Sequence, residues 1–140
     1  MGVVGLGIMG AGIVEVFAKG GHGVIGVAES DAAVEAGRRN LATSLGRAVE
    51  RGKLTQSDAD AVTARVSWGV DFALLADCDL VVEAAPEILA LKHTIFAQLD
   101  QHVKADGVLA TNTSSLSVTA IAAATSRPSA CSRTAWATTA

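Results

Sequence analysis

The segment Gly5-Leu-Gly-Ile-Met-Gly10 follows a short apolar run, residues 1–4, and precedes a stretch whose apolar residues recur at helical spacing. Gly20-Gly21 ends that predicted helix, and residues 24–27 form the next apolar run. The opening of the chain is therefore predicted to form a strand, a tight glycine turn, a helix and a second strand. This order is typical of an α/β protein with a parallel sheet.

The three glycines have the spacing of a dinucleotide-binding turn. Gly5 allows the tight turn, Gly7 lets a pyrophosphate approach the backbone, and Gly10 lets helix and strand pack closely. The following helix N-terminus offers unpaired N–H groups to the phosphates. The residues predicted to contact the cofactor here are Gly5, Leu6, Gly7, Ile8, Met9 and Gly10. The alternative is a glycine-rich turn that binds no ligand, and the strand–turn–helix context favours the cofactor.

A dinucleotide site also uses an acidic residue at the end of the second strand, which accepts hydrogen bonds from the adenosine ribose. Ala28 occupies that position, and Glu29 follows it. Adjacent strand residues point to opposite faces, so Glu29 replaces the acid only if the strand end bends or slips. Otherwise Glu29 is a solvated side chain. We include both residues among the predicted cofactor contacts. No arginine stands beside Ala28 to bind a 2′-phosphate, so the predicted cofactor is NAD, with NADP left open.

Helices and strands alternate along the rest of the chain. A long helix is predicted from a cap at Ser30 or Asp31 to near Gly52, and a shorter one starts with a capping box at Thr55 and Asp58. The remaining predicted elements are strands at 66–68, 79–83 and 108–110, a helix beginning at Pro86 with Ile88, Leu91, Ile95, Phe96 and Leu99 on its inner face, and a helix at 117–125. The predicted fold is a doubly wound, mostly parallel, Rossmann-like α/β sheet.

Composition narrows the functional class. The chain has 140 residues, 50% of them apolar, which suffices for one domain with a sizeable core. A net charge of −3 without a basic stripe argues against nucleic acid or an anionic membrane as partner. Cys78 and Cys131 have no metal-ligand spacing, so we expect two free thiols, no metal site and a cytoplasmic location. The start of the chain lacks the basic segment of a signal peptide.

Four motifs occur in an order that identifies a family. They are Gly5-Leu-Gly-Ile-Met-Gly-Ala-Gly-Ile13, Leu80-Val-Val-Glu-Ala84, Glu87 with Lys92, and Ala110-Thr-Asn-Thr-Ser-Ser-Leu116. From Gly2 to Pro128 the chain resembles the NAD-dependent 3-hydroxyacyl-CoA dehydrogenases. The resemblance implies an oxidoreductase that interconverts (S)-3-hydroxyacyl-CoA and 3-oxoacyl-CoA with NAD, in fatty-acid or butanoyl-CoA metabolism, with an acyl-CoA as substrate.

The resemblance also implies roles for five residues. Ser114 matches the active-site serine that holds the 3-oxygen of the substrate near the nicotinamide. Glu87 matches a glutamate near nicotinamide and substrate, and Lys92 a lysine that contacts the cofactor. Ser44 and Arg51 fall where the family touches coenzyme A, and a guanidinium at Arg51 is suited to a phosphate.

The same residues have plainer interpretations when they are considered alone. Ser114 follows a predicted strand at the edge of the sheet where ligands bind, but it also suits a helix cap or a turn. Glu87 and Lys92 are typical of solvated charges. Arg51 and Lys53 are typical of a basic helix end, which the helix dipole favours.

The catalytic base implied by the family has no counterpart in the sequence. The family places a histidine on a strand that reads like Gly-x-His-Phe-Phe-Asn-Pro after the position of Pro128, and residues 129–140 do not match it. His22, His93 and His102 lie elsewhere, so we expect all three to be non-catalytic.

The sequence therefore predicts a dinucleotide-binding domain at 1–128 and a non-matching, irregular tail at 129–140, without a strand after residue 126. We expect the last strand or strands and a helical second domain to be missing, which makes dimerisation doubtful. A reading-frame shift or premature end near Pro128 is one hypothesis for the tail. An enzyme part that is inactive alone, an NAD(H)-binding module without catalysis and a non-functional fragment all remain open.

Overall fold

Six strands and five helices alternate along residues 1–134, which a computed structural model describes. The strands are β1 Gly2–Val4, β2 Val24–Val27, β3 Val66–Gly69, β4 Leu80–Glu83, β5 Val108–Thr111 and β6 Cys131–Arg133. The helices are α1 Ile8–Lys19, α2 Asp31–Glu50, α3 Gln56–Ala64, α4 Leu89–His102 and α5 Val118–Ala122. Short 3-10 turns lie at Phe72–Leu75 and Pro128–Ala130.

The strands form one parallel sheet in the order β3-β2-β1-β4-β5-β6. The order reverses beside β1, because β2 pairs with one of its edges and β4 with the other. The carboxyl ends of β1 and β4 consequently border the crevice in which open α/β sheets bind ligands. The predicted doubly wound α/β fold is confirmed.

Helices cover the sheet on both faces because successive strand residues alternate between the two sides. Val3 and Val82 belong to the core beneath α1, α2 and α3. Val4 and Val81 belong to the opposite core, where α4 contributes Phe96. Neither face of the two central strands is open to water, which accounts for their continuous β-branched sequence.

The predicted helix starts are confirmed where a side chain caps the helix locally. The Ser30 hydroxyl accepts a hydrogen bond from Ala33 N at 3.2 Å, and the Thr55 hydroxyl accepts one from Asp58 N at 3.1 Å. Ser117 caps α5 in the same way, from Ala120 N at 3.2 Å. These caps span three residues, so their signal lies entirely in the local sequence.

The predicted start of the helix after β4 is wrong. Helix α4 begins at Leu89 rather than at Pro86, and Ile88 and Leu91, expected on its inner face, are 57% and 36% exposed. The carboxylate of Glu83 accepts a hydrogen bond from Ala85 N at 2.6 Å, which ties down the chain as it leaves β4. This contact delays the helix and leaves the next residues in an extended loop.

The prediction that no strand follows residue 126 is wrong for β6. Residues 131–133 pair in parallel with Leu109–Thr111, so the sheet continues into the segment expected to be an irregular tail. This short strand forms because it pairs with the edge of β5. Arg127 stabilises the preceding turn, since its Nε donates a hydrogen bond to Asp100 Oδ1 at 2.9 Å. The division of the chain at residue 128 stays a prediction, and residues 135–140 lie outside the described part.

Within residues 1–134, no helix combines the length and apolar character that are needed to cross a membrane.

Candidate functional site

A cleft of about 750 Å³ opens at the carboxyl ends of β1, β4 and β5. Three segments meet there: the glycine turn before α1, the loop between β4 and α4, and the loop after β5. The residues that line it are Gly5, Leu6, Gly7, Ile8, Met9, Glu29, Ala33, Ala36, Ala84, Ala85, Pro86, Glu87, Asn112 and Ser114. Sequence segments far apart in the chain thus converge where the fold predicts a ligand.

The glycine turn fits a pyrophosphate. Gly5 has φ of +89°, and a Cβ there would lie 2.8 Å from the backbone of Ala84, so the turn requires glycine. A Cβ on Gly10 would lie 1.8 Å from the carbonyl oxygen of Gly5, so the helix packs directly on the turn. Nothing lies within 4 Å of a Cβ built on Gly7, which leaves the start of α1 open to the cleft. Gly7 caps α1 without a side-chain bond, so the first N–H groups face a site suited to an anion.

Two acidic residues line the cleft, Glu29 beside the glycine turn and Glu87 on the β4–α4 loop. Ala28, at the expected position of the acid, is 4% exposed and packs in the core with Leu6 and Val34. Strand β2 ends at Val27, so strict alternation no longer governs the direction of the side chain two residues later. Glu29 is exposed and lines the cleft beside the glycine turn. The sequence requires the strand end to bend or slip before Glu29 can replace the acid, and β2 ends two residues earlier, at Val27; contact of Glu29 with the cofactor stays a prediction.

Glu87 links the two loops of the cleft. Its Oε1 accepts hydrogen bonds from the Thr113 hydroxyl and from Ser114 N, each at 2.9 Å, although its side chain remains 41% exposed. Partial desolvation, which by itself raises the pKa, is outweighed by these two hydrogen bonds and the nearby charge of Lys92. The pKa of Glu87 therefore lies below its ordinary value. Glu87 is an ionised clamp on the Ser114 loop.

Ser114 is exposed on the loop that follows β5. It is not a helix cap, because Ser117 caps α5 and the Thr113 hydroxyl accepts the Leu116 N–H at 3.0 Å. Its backbone is fixed by Glu87, and its side chain stands in the cleft wall. The cap interpretation is therefore wrong, and the position suits a hydroxyl that contacts a ligand.

Lys92 is buried beneath the cleft. The side chain is 1% exposed, and its Nζ lies 2.8 and 2.9 Å from the two carboxylate oxygens of Glu83, which is 0% exposed. The ammonium also donates to Ala85 O at 3.1 Å and lies 3.5 Å from Glu87 Oε2. The solvated interpretation of Lys92 is wrong. Its position beneath the walls, rather than among them, makes it a support for the loop that carries Glu87.

The role of Glu83 was missed from the sequence. Its carboxylate collects the Lys92 ammonium, the Ala85 N–H and the Thr111 hydroxyl, the last at 2.7 Å. A glutamate inside a β-branched run, with a lysine nine residues on, is the signal that points to such a buried pair. This network ties together the carboxyl ends of β4 and β5.

A second groove, of about 620 Å³, lies between α1 and α2 and contains Ser44 and Arg51. Further cationic side chains line it, namely Lys19, Arg47 and Lys53. Ile8 lines both the groove and the cleft, so the two are adjacent. The structure therefore brings the two predicted coenzyme A contacts together beside the predicted cofactor site.

Known proteins share this arrangement. The family model for the 3-hydroxyacyl-CoA dehydrogenase, NAD binding domain, matches residues 1–138. The chain belongs to this family. NAD is accordingly the cofactor of the domain, and the open glycine turn at Gly7 fits it.

The relatives of this NAD-binding domain are longer proteins. The probable 3-hydroxybutyryl-CoA dehydrogenase of Deinococcus radiodurans is 42% identical over 127 residues, which cover 91% of this chain and 45% of the relative. The 3-hydroxybutyryl-CoA dehydrogenase of Mycobacterium tuberculosis is 43% identical over 129 residues, covering 91% and 45%. The crystal structure of FadB2 from Mycobacterium tuberculosis matches with a TM-score of 0.91 at 43% identity, covering 93% of this chain and 46% of that one. The chain spans less than half the length of these relatives.

The three histidines of this NAD-binding domain are not among the residues that line the cleft. His93 Nε2 lies 2.8 Å from Ala120 O, and His102 Nδ1 lies 2.8 Å from Gln98 O, both within the packing of α4. The ring of His22 packs edge-on against Phe17 at 6.0 Å between centroids. That none of them is catalytic stays a prediction, in keeping with these positions.

Proposed function

We propose that this chain is the NAD-binding part of an oxidoreductase that interconverts (S)-3-hydroxyacyl-CoA and 3-oxoacyl-CoA. The observation that carries the proposal is the Glu87 clamp, which holds the Ser114 loop in the same cleft as the open glycine turn. The names of the relatives support short-chain substrates such as 3-hydroxybutyryl-CoA. Fatty-acid or butanoyl-CoA metabolism would use this step.

Different residues of the chain bind different parts of the cofactor and the substrate. Bound NAD⁺ supplies the acceptor for the hydride that leaves C3 of the substrate. The start of α1 holds the phosphates, and the Ser114 hydroxyl donates a hydrogen bond to the 3-oxygen of the substrate. Glu87 keeps Ser114 in place, and the buried Glu83–Lys92 pair keeps the Glu87 loop in place.

The second groove would receive coenzyme A. Ser44 offers a hydroxyl, and Arg51 offers a guanidinium suited to a phosphate. The adjoining charges of Arg47 and Lys53 raise the local attraction for an anion. The acyl chain would then pass Ile8 into the cleft, where Ser114 waits for the 3-oxygen.

The proton of the substrate hydroxyl needs a base with a pKa near neutrality, usually a histidine. Among residues 1–134, the cleft is lined by none of the three histidines. We therefore propose that the chain as given binds NAD(H) without turnover, which keeps a binding module as the second candidate function. The two free thiols, Cys78 and Cys131, support a reducing, cytoplasmic setting.

Titration with NADH, followed by nucleotide fluorescence, tests the proposal, with acetoacetyl-CoA turnover and a thermal melt alongside. We expect saturable NADH binding, a cooperative melt and no oxidation of NADH on addition of acetoacetyl-CoA. Turnover would show that a catalytic base is present and would contradict the proposal that the chain binds NAD(H) without turnover. A chain that neither melts cooperatively nor binds NADH would be a non-functional fragment.

A further inference from the structure

Two cavities share Glu29. The first is the cleft that contains the glycine turn, and the second is a largely apolar pocket of about 360 Å³ between the end of β2 and α4. Ala28, Pro86, Leu91 and Ile95 are among the walls of the second pocket. Both cavities also share Gly5, Ala85 and Pro86, so they are continuous along the β4–α4 loop.

The order of these cavities follows the order of groups in a dinucleotide. A pyrophosphate at the start of α1 leaves the flat aromatic faces of adenine to pack between the apolar walls of the pocket on the β2 side. The ribose that joins adenine to pyrophosphate must then lie at the junction of the two cavities. Of the residues that line both, Glu29 alone carries a charge.

The neighbouring positions offer no substitute. Ala28, where dinucleotide sites have their acid, presents a methyl group that is packed in the core. Neither lysine nor arginine occurs among the described residues that line the two cavities. A 2′-phosphate on the ribose would therefore meet the Glu29 carboxylate with no cation to balance it.

We infer that Glu29 is the residue that makes this chain select NAD over NADP, by accepting hydrogen bonds from the adenosine ribose hydroxyls. The inference rests on the proposed NAD-binding function. It assigns the choice between NAD and NADP to Glu29, which lies one residue after the position where dinucleotide sites usually have their acid. It depends on β2 ending at Val27, which frees Glu29 from strand alternation, and on Glu29 lining both cavities. The site is thus an acid that follows the strand rather than one that ends it.

The test measures the dissociation constants of NADH and NADPH for the full chain and for two variants. Glu29→Gln removes the charge, and we expect NADH to bind about tenfold more weakly while NADPH binds no worse. Glu29→Arg supplies a cation for the 2′-phosphate, and we expect the preference to shift toward NADPH. Glu50→Gln, an exposed glutamate at the far end of α2, is the matched control and should leave both constants unchanged.

Each outcome decides the inference. If Glu29→Gln binds NADH as tightly as the unchanged chain and keeps the same preference, Glu29 does not select the cofactor, while NAD binding itself still stands. If the unchanged chain binds neither nucleotide, both the proposed function and this inference fail. Thermal melts of the four proteins separate altered binding from altered folding, since Glu29 is exposed and its substitution should leave the melting temperature almost unchanged.

Discussion

Glu83 and Glu87 are carboxylates on the same stretch of chain, yet they belong to two different regions of the cleft. The floor consists of Glu83, Lys92 and Thr111, whose side chains are fully enclosed. The rim consists of Glu87, Thr113 and Ser114, where the Glu87 side chain is 41% exposed. Each carboxylate accepts a bond from a threonine hydroxyl, at 2.7 Å in the floor and 2.9 Å in the rim. The comparison shows how burial of the carboxylate changes the contribution of a hydrogen bond between a threonine hydroxyl and a glutamate.

Because the floor is buried, substitutions in it should cost more stability than substitutions in the rim. The rim is exposed and can contact ligands. A buried carboxylate that loses a partner cannot find water to replace it, whereas an exposed one can. The floor therefore sets the geometry of the β4–α4 loop, and the rim uses that geometry to present Ser114. Stability and ligand binding should respond separately to changes in the two regions.

Removal of the floor's cation should have the largest effect. Lys92→Met leaves the Glu83 carboxylate buried without its ion-pair partner, so we expect the free energy of unfolding to fall by about 3–5 kcal/mol. Urea denaturation followed by circular dichroism measures this loss.

The matched control is Lys104→Met. Lys104 Nζ contacts Asp79 Oδ1 at 2.5 Å and lies 3.9 Å from Asp106 Oδ1, but all three side chains are substantially exposed. We expect a much smaller loss of stability for this surface pair, because water screens both charges. Similar losses for the two variants would contradict the distinction between the buried pair and an ordinary surface pair.

The two threonines allow a closer comparison of floor and rim. Thr111→Val removes a hydroxyl that donates to the buried Glu83, and we expect a loss of about 2 kcal/mol. Thr113→Val removes the donor to Glu87, where water can take its place, and we expect a loss of about 1 kcal/mol. Each hydroxyl also accepts one backbone N–H, from Thr113 at 3.3 Å for Thr111 and from Leu116 at 3.0 Å for Thr113, so both variants lose one such bond. Both threonines are buried, so the cost of placing a valine is similar in each. Equal losses in urea unfolding would show that exposure of the carboxylate does not matter.

The difference between floor and rim also explains which features can be predicted from the sequence and which cannot. The caps at Ser30 and Thr55 and the packing of Gly10 on Gly5 depend on neighbours three to five residues away, and all of them occur as expected. The burial of Lys92 depends on Glu83, which lies on another element, so local charge patterns give the wrong answer. The late start of α4 involves the same buried carboxylate, which accepts the Ala85 N–H and is itself paired with Lys92.

The prediction that no strand follows residue 126 is wrong for a related reason. Three residues, Cys131–Arg133, are too few to show strand periodicity, and they become a strand because β5 offers an open edge. The rim was predicted more fully, since Ser114 and Glu87 were identified by resemblance to a family rather than by their local pattern. The hydrogen bond that joins them needed the structure.

The smallest expected effect is the pH dependence of the rim. Folding lowers the pKa of Glu87, so its ionised form stabilises the folded chain. This contribution is fully present above the unfolded pKa, about 4.3, and it is lost as the pH falls through the lowered folded pKa. Because Glu87 is exposed, we expect it to be worth less than about 1 kcal/mol.

Glu87→Gln isolates this contribution, because Asp100 also has a lowered pKa and contributes to acid unfolding in both proteins. The difference in unfolding free energy between the unchanged chain and the variant should be greatest at neutral pH. It should shrink as the pH falls below about 4. A difference that stays constant from neutral to acid pH would mean that the two hydrogen bonds, and not the charge of Glu87, hold the Ser114 loop.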